Sequence, residues 1–216
     1  MSNPKKDIKN IRIDYNKSNI NYSLMPDSPF DLFKIWLDQA ILIDSKNANA
    51  FVLSTVSIDG LPTSRVVLLR GLSDNGLTFF TNYKSHKSLD INNNNNVSIN
   101  FFWPQLEKQV CITGIADKIH SSESDTYFDS RPKKSQLGTV LSNQSCEIPL
   151  DYDFARKLLI LEADYEDKKI HRPDYWGGYL IKPNYFEFWQ GRPSRLHDRL
   201  CYTYENDSWL KTRKSP

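Results

Sequence analysis

The side chains best suited to chemistry in this sequence are cationic, and they occur in four short clusters: Arg65–Arg70, Thr81–Lys87, Tyr127–Ser135 and Trp189–Arg199. The chain as a whole is nearly neutral, with Lys+Arg 28 against Asp+Glu 26. Cations that are gathered without carboxylate partners repel one another, so such a cluster favours an anion between them. Phosphate is the natural anion, and several clusters suit more than one phosphorylated ligand.

The two earlier clusters differ in how they present their charges. Arg65 and Arg70 bracket an apolar stretch that is typical of a strand, and their spacing places them on opposite faces of it. Both can line one ligand only if a bend or a strand end lies between them. Ser85 can cap a helix that begins with His86 and Lys87. Free backbone N–H groups and side-chain charge at this helix start predict an anion site.

The two later clusters have spacings that bring cations to one side of an element. Tyr127 and Arg131 are four residues apart, so a helix would place them on one face. Alternation along a strand would place Arg195, His197 and Arg199 on the same side, with the adjacent acid pointing the other way. Surface arginines are commonly paired with acids at little gain in stability, so each cluster alone is weak evidence. Three cations on one strand face indicate an anion more strongly.

Several other kinds of site are not encoded. The glycines form neither GxGxxG nor GxxxxGK[ST], the histidines lack HExxH spacing, and GxSxG is missing. The three cysteines are widely spaced and include no CxxC, so we expect neither a disulfide scaffold nor a metal site. A net charge of +2 argues against nucleic acid as a partner.

The composition predicts a globular protein of the cytoplasm. Hydrophobic residues make up 39% and charged residues 25% of the sequence. No stretch approaches the roughly 18 uninterrupted apolar residues of a membrane span, so we expect no membrane partner. Residues 1–10 are polar and carry lysines without an apolar region, so we expect no secretory signal.

Hydrophobic periodicity predicts an α+β fold that is mainly β, with strands at hairpin spacing. The predicted helices cover Pro29–Ala40, Ser85–Asn92, Ser122–Ser130, Pro132–Leu141 and Phe154–Tyr165. The predicted strands cover Ala50–Ser57, Thr63–Arg70, Leu77–Asn82, Val97–Trp103, Lys108–Ile119, Tyr179–Ile181, Tyr185–Gln190, Leu200–Tyr204 and Trp209–Thr212. This order predicts an antiparallel barrel that carries helices on its outside.

The chain is predicted to be a single domain preceded by an arm. Residues 1–26 are rich in Asn, Lys and Arg and poor in large apolar side chains, which is typical of a flexible N-terminal arm. Within it, Arg12 and Tyr15 are long side chains that can reach another part of the protein. Residues 27–216 contain no internal repeat and no linker, so we expect one domain there.

Five stretches of the sequence together resemble one known family: Arg65–Arg70, Phe80–Lys87, Ser130–Gly138, Trp176–Gly178 and Glu187–Arg199. Through them the chain closely resembles the pyridoxine/pyridoxamine 5′-phosphate oxidases over nearly its whole length. The resemblance implies an FMN-binding split β-barrel and a homodimer with FMN at the interface. It also implies the oxidation of pyridoxine 5′-phosphate and pyridoxamine 5′-phosphate to pyridoxal 5′-phosphate by molecular oxygen. It further implies that a hydride passes from C4′ to flavin N5 and that hydrogen peroxide and, from the amine, ammonia are released.

The resemblance further implies which residues bind each ligand. The FMN-binding residues are Arg65, Val66, Val67, Leu68, Leu69, Arg70, Phe80, Thr81, His86, Lys87, Gln109, Gln144, Ser145, Trp189 and Arg199. The substrate-binding residues are Arg12, Tyr15, Arg70, Tyr127, Arg131, Ser135, Arg195 and His197. Arg195 and His197 would lie over the pyridine ring as catalytic residues, and the arm would close over the site. Arg70 and His86 stand where a common version of the family has Lys and Arg.

Two other functions fit part of these observations. Another split-barrel flavoprotein, such as a flavin reductase, would share the FMN residues but lack the sets around Tyr127 and Arg195. A single-stranded nucleic-acid module could use the 5 Trp, 11 Tyr and 11 Phe together with the cations. The low net charge and the lack of an RNP-like motif argue against it. A yellow protein that absorbs at about 450 nm would exclude the simple nucleic-acid module.

Overall fold

The described part of the chain comprises Asp7, Lys9 and residues 13–216 of a computed structural model. Runs of consecutive strands are separated by helices. Its α-helices are α1 (Pro29–Ile43), α2 (His86–Asn93), α3 (Ser121–Ser130), α4 (Lys133–Leu141) and α5 (Phe154–Asp164). Its strands are β1 (Ala50–Val56), β2 (Pro62–Leu68), β3 (Gly71–Ser73), β4 (Gly76–Asn82), β5 (Asn96–Trp103), β6 (Lys108–Lys118), β7 (Trp176–Gln190), β8 (Asp198–Glu205) and β9 (Ser208–Arg213). Among the described residues, no helix combines the length and the apolar character that a bilayer crossing requires.

The strands pair in the order β2-β1-β5-β6-β7-β4-β3, and β8 pairs with both β7 and β9. β1 and β2 form the predicted hairpin, which pairs Val56 with Pro62 and Ala50 with Leu68 in antiparallel register. Its turn contains Gly60 at φ +79, a left-handed backbone conformation that suits glycine. Arg65 lies in the middle of β2, and Arg70 follows the last residue of this strand, Leu68.

The long strand β7 corrects the prediction of two separate strands, Tyr179–Ile181 and Tyr185–Gln190. It is continuous, and its first residues pair with β4 while its last residues pair with β8. Pro183 lies between these two ladders, so neither of them loses a hydrogen bond to its missing N–H group. In the sequence, this proline is typical of a break between strands, which explains the wrong prediction.

The described residues divide into two compact units. The first unit contains Phe101–Cys111, Tyr185–Pro216 and the described residues up to Ala48, and the second contains Asn49–Asn100 and Ile112–Asn184. The domain boundaries expected from the sequence, an arm over residues 1–26 and one domain over residues 27–216, stay predictions.

The core of the second unit is built from the inward side chains of its strands. Phe51 of β1 and Phe79 of β4 are buried, and their rings meet edge to face at 6.2 Å. A separate cluster packs α3 and α4 near the start of β7, and its buried members are Phe128, Leu137, Ile170 and Trp176. This second cluster supports the helices that line the cavity described below.

The core of the first unit forms around the apolar face of α1, as its helical spacing predicts. Phe33 contacts Phe101 edge to face at 5.0 Å, and Trp36 contacts Phe188 at 5.2 Å. Aromatic side chains of this size bury large apolar areas and prefer such tilted contacts. The helix therefore holds the ends of β5 and β7 that belong to this unit.

Candidate functional site

A cavity of about 810 Å³ lies within the second unit, and it is lined from β2, β4, the start of α2, α3 and α4. Most residues that the sequence resemblance assigned to a cofactor or to a substrate phosphate line it. They are Arg65, Val66, Val67, Leu68, Arg70, Phe80, Thr81, His86, Lys87, Tyr127, Arg131, Ser135, Gln144 and Ser145. The structure thus brings three of the four cationic clusters together in one place.

The lining of the cavity is cationic. It includes Arg65, Arg70, Lys87 and Arg131 together with His86, and no Asp or Glu is among the described residues that line it. Arg65 and Arg70 can both line the cavity because β2 ends at Leu68, before Arg70. Their spacing would place them on opposite faces of a longer strand. Gathered cations of this kind are stabilised by a bound anion.

Lys87 on α2 is buried, and neutral oxygens surround its ammonium group. Its Nζ donates to Ser85 Oγ at 3.0 Å, to Thr81 Oγ1 at 3.3 Å and to Gln144 Oε1 at 3.4 Å. Burial, and to a lesser degree the charge of Arg65, lowers the pKa of Lys87 to about 8. Since none of these partners is charged, the ammonium is oriented but not neutralised, and an anion can bind it.

Arg65 on β2 is held by two threonine hydroxyls rather than by a direct ion pair. Its Nη1 donates to Thr55 Oγ1 at 2.7 Å and its Nη2 to Thr63 Oγ1 at 2.6 Å. Both hydroxyls in turn donate to Asp90 Oδ2, at 2.6 and 3.2 Å. Burial lowers the pKa of Arg65, and the charge of Asp90 acts in the opposite direction. The guanidinium is thereby fixed by a carboxylate that does not line the cavity.

The start of α2 has the predicted N-cap residue but a different hydrogen bond. The Ser85 hydroxyl donates to the Asn82 carbonyl at 2.7 Å and makes no bond to the helix N-terminus. The His86 backbone N–H instead donates to Ser145 Oγ at 3.3 Å. Ser145 has a left-handed backbone with φ 71, which is uncommon for a residue with a side chain. Ser145, which the resemblance assigns to the site, therefore accepts a hydrogen bond from the first N–H group of α2.

Tyr127 and Arg131 both line the cavity, although the helix ends between them. α3 ends at Ser130, and Arg131 is its C-cap residue with φ −77 and ψ 149. The cause is Pro132, because a residue before proline is disfavoured in helical conformation. The two residues therefore do not share a helix face as predicted. Tyr127 lies in the last turns of α3 and Arg131 caps its end, and both side chains still line the cavity.

A stack of aromatic rings forms one wall of the cavity. Tyr127 stacks on Phe80 with ring centroids 3.8 Å apart, and Phe80 stacks on Trp176 at 5.5 Å. The guanidinium of Arg131 lies over the Trp176 ring, 4.6 Å from its centroid. Burial lowers the pKa of Arg131; Tyr127 opposes this shift and the charge of Arg70 adds to it. The cation is thus partly desolvated, which strengthens its attraction for an anion.

In the first unit, Tyr15, Trp189 and His197 form an aromatic cluster. The Tyr15 ring lies 5.5 Å from Trp189 and 5.8 Å from His197, and the last two rings are 4.6 Å apart. Gly191 permits this approach, because a Cβ there would lie 2.6 Å from Tyr15 Cγ. Burial, followed by the charge of Arg195, lowers the pKa of His197. His197 Nδ1 accepts from a backbone N–H, so a neutral ring carries its proton on Nε2.

The predicted strand face of Arg195, His197 and Arg199 is wrong. Pro193–Arg195 form a short 3-10 helix, and β8 begins only at Asp198. Arg195 itself has a left-handed backbone with φ 61. A proline that starts a tight turn interrupts the alternation on which the prediction depended.

Arg199 also differs from the prediction, because its charge is paired. Its Nε donates to Glu187 Oε1 at 2.8 Å and its Nη2 to Glu187 Oε2 at 2.9 Å. Its Nη1 donates to the Ser215 carbonyl at 2.9 Å. The hydrogen bond to Glu187 is the main cause that raises the pKa of Arg199. Both terminal nitrogens still have a second N–H group that these contacts leave for a ligand.

The remaining predicted site residues either do not line the cavity or lie outside the described residues. Gln109 belongs to the first unit, where its side chain donates to Cys111 Sγ at 3.2 Å. Leu69 is buried and does not line the cavity. Arg12 lies outside the described residues. No group of three His, Cys, Asp or Glu side chains in the described ranges could hold a metal ion.

Some cavity residues were not assigned from the sequence, namely Asn82, Gly138, Thr139, Ser142 and Trp176. Thr139 follows Ser135 by one helical turn on α4, so helical spacing alone could have identified it. Trp176 lies in one of the stretches that carry the resemblance but was not assigned to a ligand, and its place at the cavity depends on the packing of the cluster around Phe128.

Two family models match the chain. The model described as "Pyridoxamine 5′-phosphate oxidase" matches residues 38–160. The model described as "Pyridoxine 5′-phosphate oxidase C-terminal dimerisation region" matches residues 176–216. Together they cover parts of both units and contain every cavity residue from Arg65 to Trp176.

Curated relatives match over almost the full chain. The pyridoxine/pyridoxamine 5′-phosphate oxidase of Leptospira biflexa is 43% identical over 210 residues, which cover 97% of this chain and 99% of the relative. The protein of the same name from Flavobacterium johnsoniae is 46% identical over 211 residues, with coverage of 97% and 99%.

Solved structures share the fold. PhzG from Burkholderia lata, in complex with tetrahydrophenazine-1-carboxylic acid, aligns with a TM-score of 0.82 and 28% identity over 90% of this chain and 96% of that one. An FMN-binding protein related to pyridoxamine 5′-phosphate oxidase, from Nostoc punctiforme, aligns with a TM-score of 0.71 and 16% identity, covering 89% and 100%. The fold is therefore the FMN-binding split β-barrel, which confirms the predicted antiparallel sheet with peripheral helices.

Proposed function

This chain belongs to the pyridoxine/pyridoxamine 5′-phosphate oxidase family and is an oxidoreductase, and we propose that it oxidises pyridoxine 5′-phosphate and pyridoxamine 5′-phosphate to pyridoxal 5′-phosphate with FMN and molecular oxygen. The observation that carries the proposal is the cavity, where three cationic clusters meet and no carboxylate is among the described lining residues. The nearly full-length relatives of that name support the choice of substrate.

The donor set of the cavity fits FMN. Its phosphate needs N–H donors and positive charge, which Arg65, His86 and Lys87 offer. The volume of about 810 Å³ is within the range of about 300–1,000 Å³ that is common for ligand sites. The apolar side chains of Val66 and Leu68 suit the flat ring system. The family resemblance adds Leu69, Gln109, Trp189 and Arg199 to the proposed contacts.

The substrate phosphate is proposed to bind at the other end of the cavity. Arg131 offers a planar set of N–H donors, Tyr127 and Ser135 offer hydroxyl groups, and Arg70 adds a second charge. A common version of the family has a lysine at this position, so Arg70 offers a planar set of N–H donors in place of a single ammonium group. Holding the substrate by its phosphate restricts where C4′ can lie, which is a large part of what positioning contributes to a rate.

When bound, FMN supplies the redox chemistry, accepting a hydride from the substrate C4′ at N5 and returning two electrons to molecular oxygen as hydrogen peroxide. We propose that Arg195 and His197 contact the pyridine ring. A neutral His197 has its proton on Nε2, so it can donate a hydrogen bond there or move a proton from the C4′ substituent. Arg199 would keep a positive charge beside the cofactor, with its orientation fixed by Glu187.

The proposed assembly is a homodimer with FMN at the interface. Residues 176–216 match a dimerisation region, which supports self-association. We further propose a cytoplasmic enzyme whose residues 27–216 act as one domain. Its N-terminal arm, residues 1–26, would close over the bound substrate through Arg12 and Tyr15.

The proposed function is tested by adding pyridoxamine 5′-phosphate to the FMN-loaded protein without oxygen. The flavin absorbance at about 450 nm should bleach, and readmitted oxygen should restore it with release of hydrogen peroxide and ammonia. Arg195→Ala should slow this bleaching while FMN stays bound, since the change removes a contact to the ring alone. Bleaching by a reduced nicotinamide cofactor, but not by the phosphorylated amine, would instead identify a flavin reductase. An unchanged rate for Arg195→Ala would remove that residue from the catalytic assignment.

A further inference from the structure

The surroundings of Arg131 fix its guanidinium group more closely than its position at the end of a helix would require. The group stacks on the Trp176 ring at 4.6 Å, and its Nη1 donates to Thr139 Oγ1 at 2.8 Å. Among the described residues, the bond to Thr139 is the one hydrogen bond that the Arg131 side chain makes. The stack sets the plane of the group, and the bond sets its rotation within that plane.

The Thr139 hydroxyl can act only as an acceptor toward Arg131. Its own proton is donated to the Ser135 carbonyl at 3.1 Å, one turn earlier on α4. A hydroxyl has a single proton, so the lone pair that faces Arg131 is fixed by this bond. Nε and Nη2 of Arg131 keep their N–H groups without a hydrogen bond to the described residues. These N–H groups can donate hydrogen bonds to the oxygens of a phosphate.

We propose that Thr139 is a positioning residue that orients Arg131 for the phosphate monoester of the substrate, a role that rests on the proposed function. Thr139 would not touch the reacting atoms. It would hold the guanidinium so that its free N–H groups face a phosphate, and it would thereby favour phosphorylated substrates over the corresponding free alcohol. A flexible Arg131 would still attract the anion but would lose entropy on binding it.

The test is Thr139→Val, which keeps the shape of the side chain and removes the acceptor. KM for pyridoxine 5′-phosphate should rise about fivefold with kcat unchanged, as expected when one hydrogen bond that orients a binding group is lost. For unphosphorylated pyridoxine, kcat/KM should stay the same. Thr139→Ser should restore the parental KM, because serine keeps the hydroxyl.

Thr126→Val is the matched control. Thr126 on α3 makes the same bond to a carbonyl one turn earlier, at 2.9 Å to Ser122, and it is exposed and does not line the cavity. This variant removes an identical helix contact without touching Arg131. It should leave KM for both substrates unchanged.

A binding measurement separates this inference from the proposed function. Titration of inorganic phosphate and of pyridoxal 5′-phosphate into the FMN-loaded protein, followed by calorimetry, should give about fivefold weaker binding to Thr139→Val than to the parent. Equal affinities would overturn the role of Thr139, and so would a loss of equal size with the unphosphorylated substrate. If the parent fails to oxidise the phosphorylated substrates, the proposed function is wrong, and the phosphate affinities alone then decide whether Thr139 orients Arg131.

Discussion

Two arginines that look alike in the sequence have opposite surroundings in the folded chain. Arg131 stacks on Trp176 and forms no ion pair with any described carboxylate, whereas Arg199 makes two hydrogen bonds to Glu187. Both were expected in the site from the sequence resemblance. Their partners could not be predicted, because Glu187 comes beside Arg199 only through the pairing of β7 with β8. Residue type and spacing identify a cation, but tertiary contacts decide how much of its charge remains for a ligand.

Lys87 gives a prediction for the pH dependence of FMN binding. Its pKa of about 8 means that the ammonium loses its proton as the pH rises through that value, so the proposed phosphate site loses a charge. The dissociation constant of FMN, measured by quenching of its fluorescence, should therefore increase from about pH 7 to about pH 9, by up to about tenfold per pH unit above the pKa.

Lys87→Met is the control for this pH dependence, because it has no proton to lose. It should bind FMN more weakly than the parent at about pH 7, and the two proteins should become more similar as the pH rises. The other groups around the ammonium, Arg65 and the neutral oxygens of Thr81 and Gln144, are the same in both proteins. A parallel rise of the dissociation constant in both proteins would show that another group titrates.

At the scale of elements, alternation and helical spacing predict most helices and strands to within one or two residues. The hairpin of β1 and β2 and the helix α5 are examples. The start of α1 was also predicted, but the helix continues three residues beyond the predicted end, to Ile43. A periodic apolar face must be buried and therefore leaves a clear pattern. The short strand β3 was not predicted, and two other errors occur at prolines. Pro183 does not interrupt β7, and Pro193 starts a turn where a strand was expected, since the effect of a proline depends on which neighbours pair with it.

The contact of α1 with β6 contains a buried lysine and gives a prediction for stability. Lys108 donates to Gln39 Oε1 at 2.5 Å and lies over the Trp36 ring at 4.5 Å. Burial lowers the pKa of Lys108 from its ordinary value of 10.5 to about 8. Between these two values the unfolded chain binds more protons than the folded one, so this group makes the folded state more stable as the pH rises.

Lys108→Met removes this titration from the element contact. The free energy of unfolding of the variant minus that of the parent, measured with urea, should decrease steadily from about pH 7.5 to about pH 10. Lys108→Arg is the matched control, because arginine stays charged throughout this range. The parent should gain stability against both variants by the same amount. A constant difference from Lys108→Met across the range would mean that Lys108 keeps its proton in the folded chain.

At the scale of the whole molecule, one face of the hairpin of β1 and β2 carries a patch of exposed apolar side chains. Val66 is 66% exposed, and its cross-strand partner Val52 and the neighbouring Leu68 are each 39% exposed. Contiguous apolar surface of this kind indicates an interaction site. Val66 and Leu68 also line the cavity, so a second copy that covered this face would complete the surroundings of a bound cofactor.

Val52→Lys tests whether this face forms the proposed dimer interface. Val52 lies on the face but does not line the cavity, so the change adds a charge to an apolar contact without altering a proposed ligand contact. Burying an unpaired ammonium is costly, and the dimer dissociation constant from sedimentation equilibrium should rise at least about tenfold. FMN that binds at the interface favours the dimer by mass action, so added FMN should partly reverse the effect.

Ile58→Lys is the matched control. It adds the same charge in the turn between β1 and β2, where Ile58 is 78% exposed, and should leave the dimer dissociation constant unchanged. A Val52→Lys protein with the parental dissociation constant would place the dimer interface on another surface.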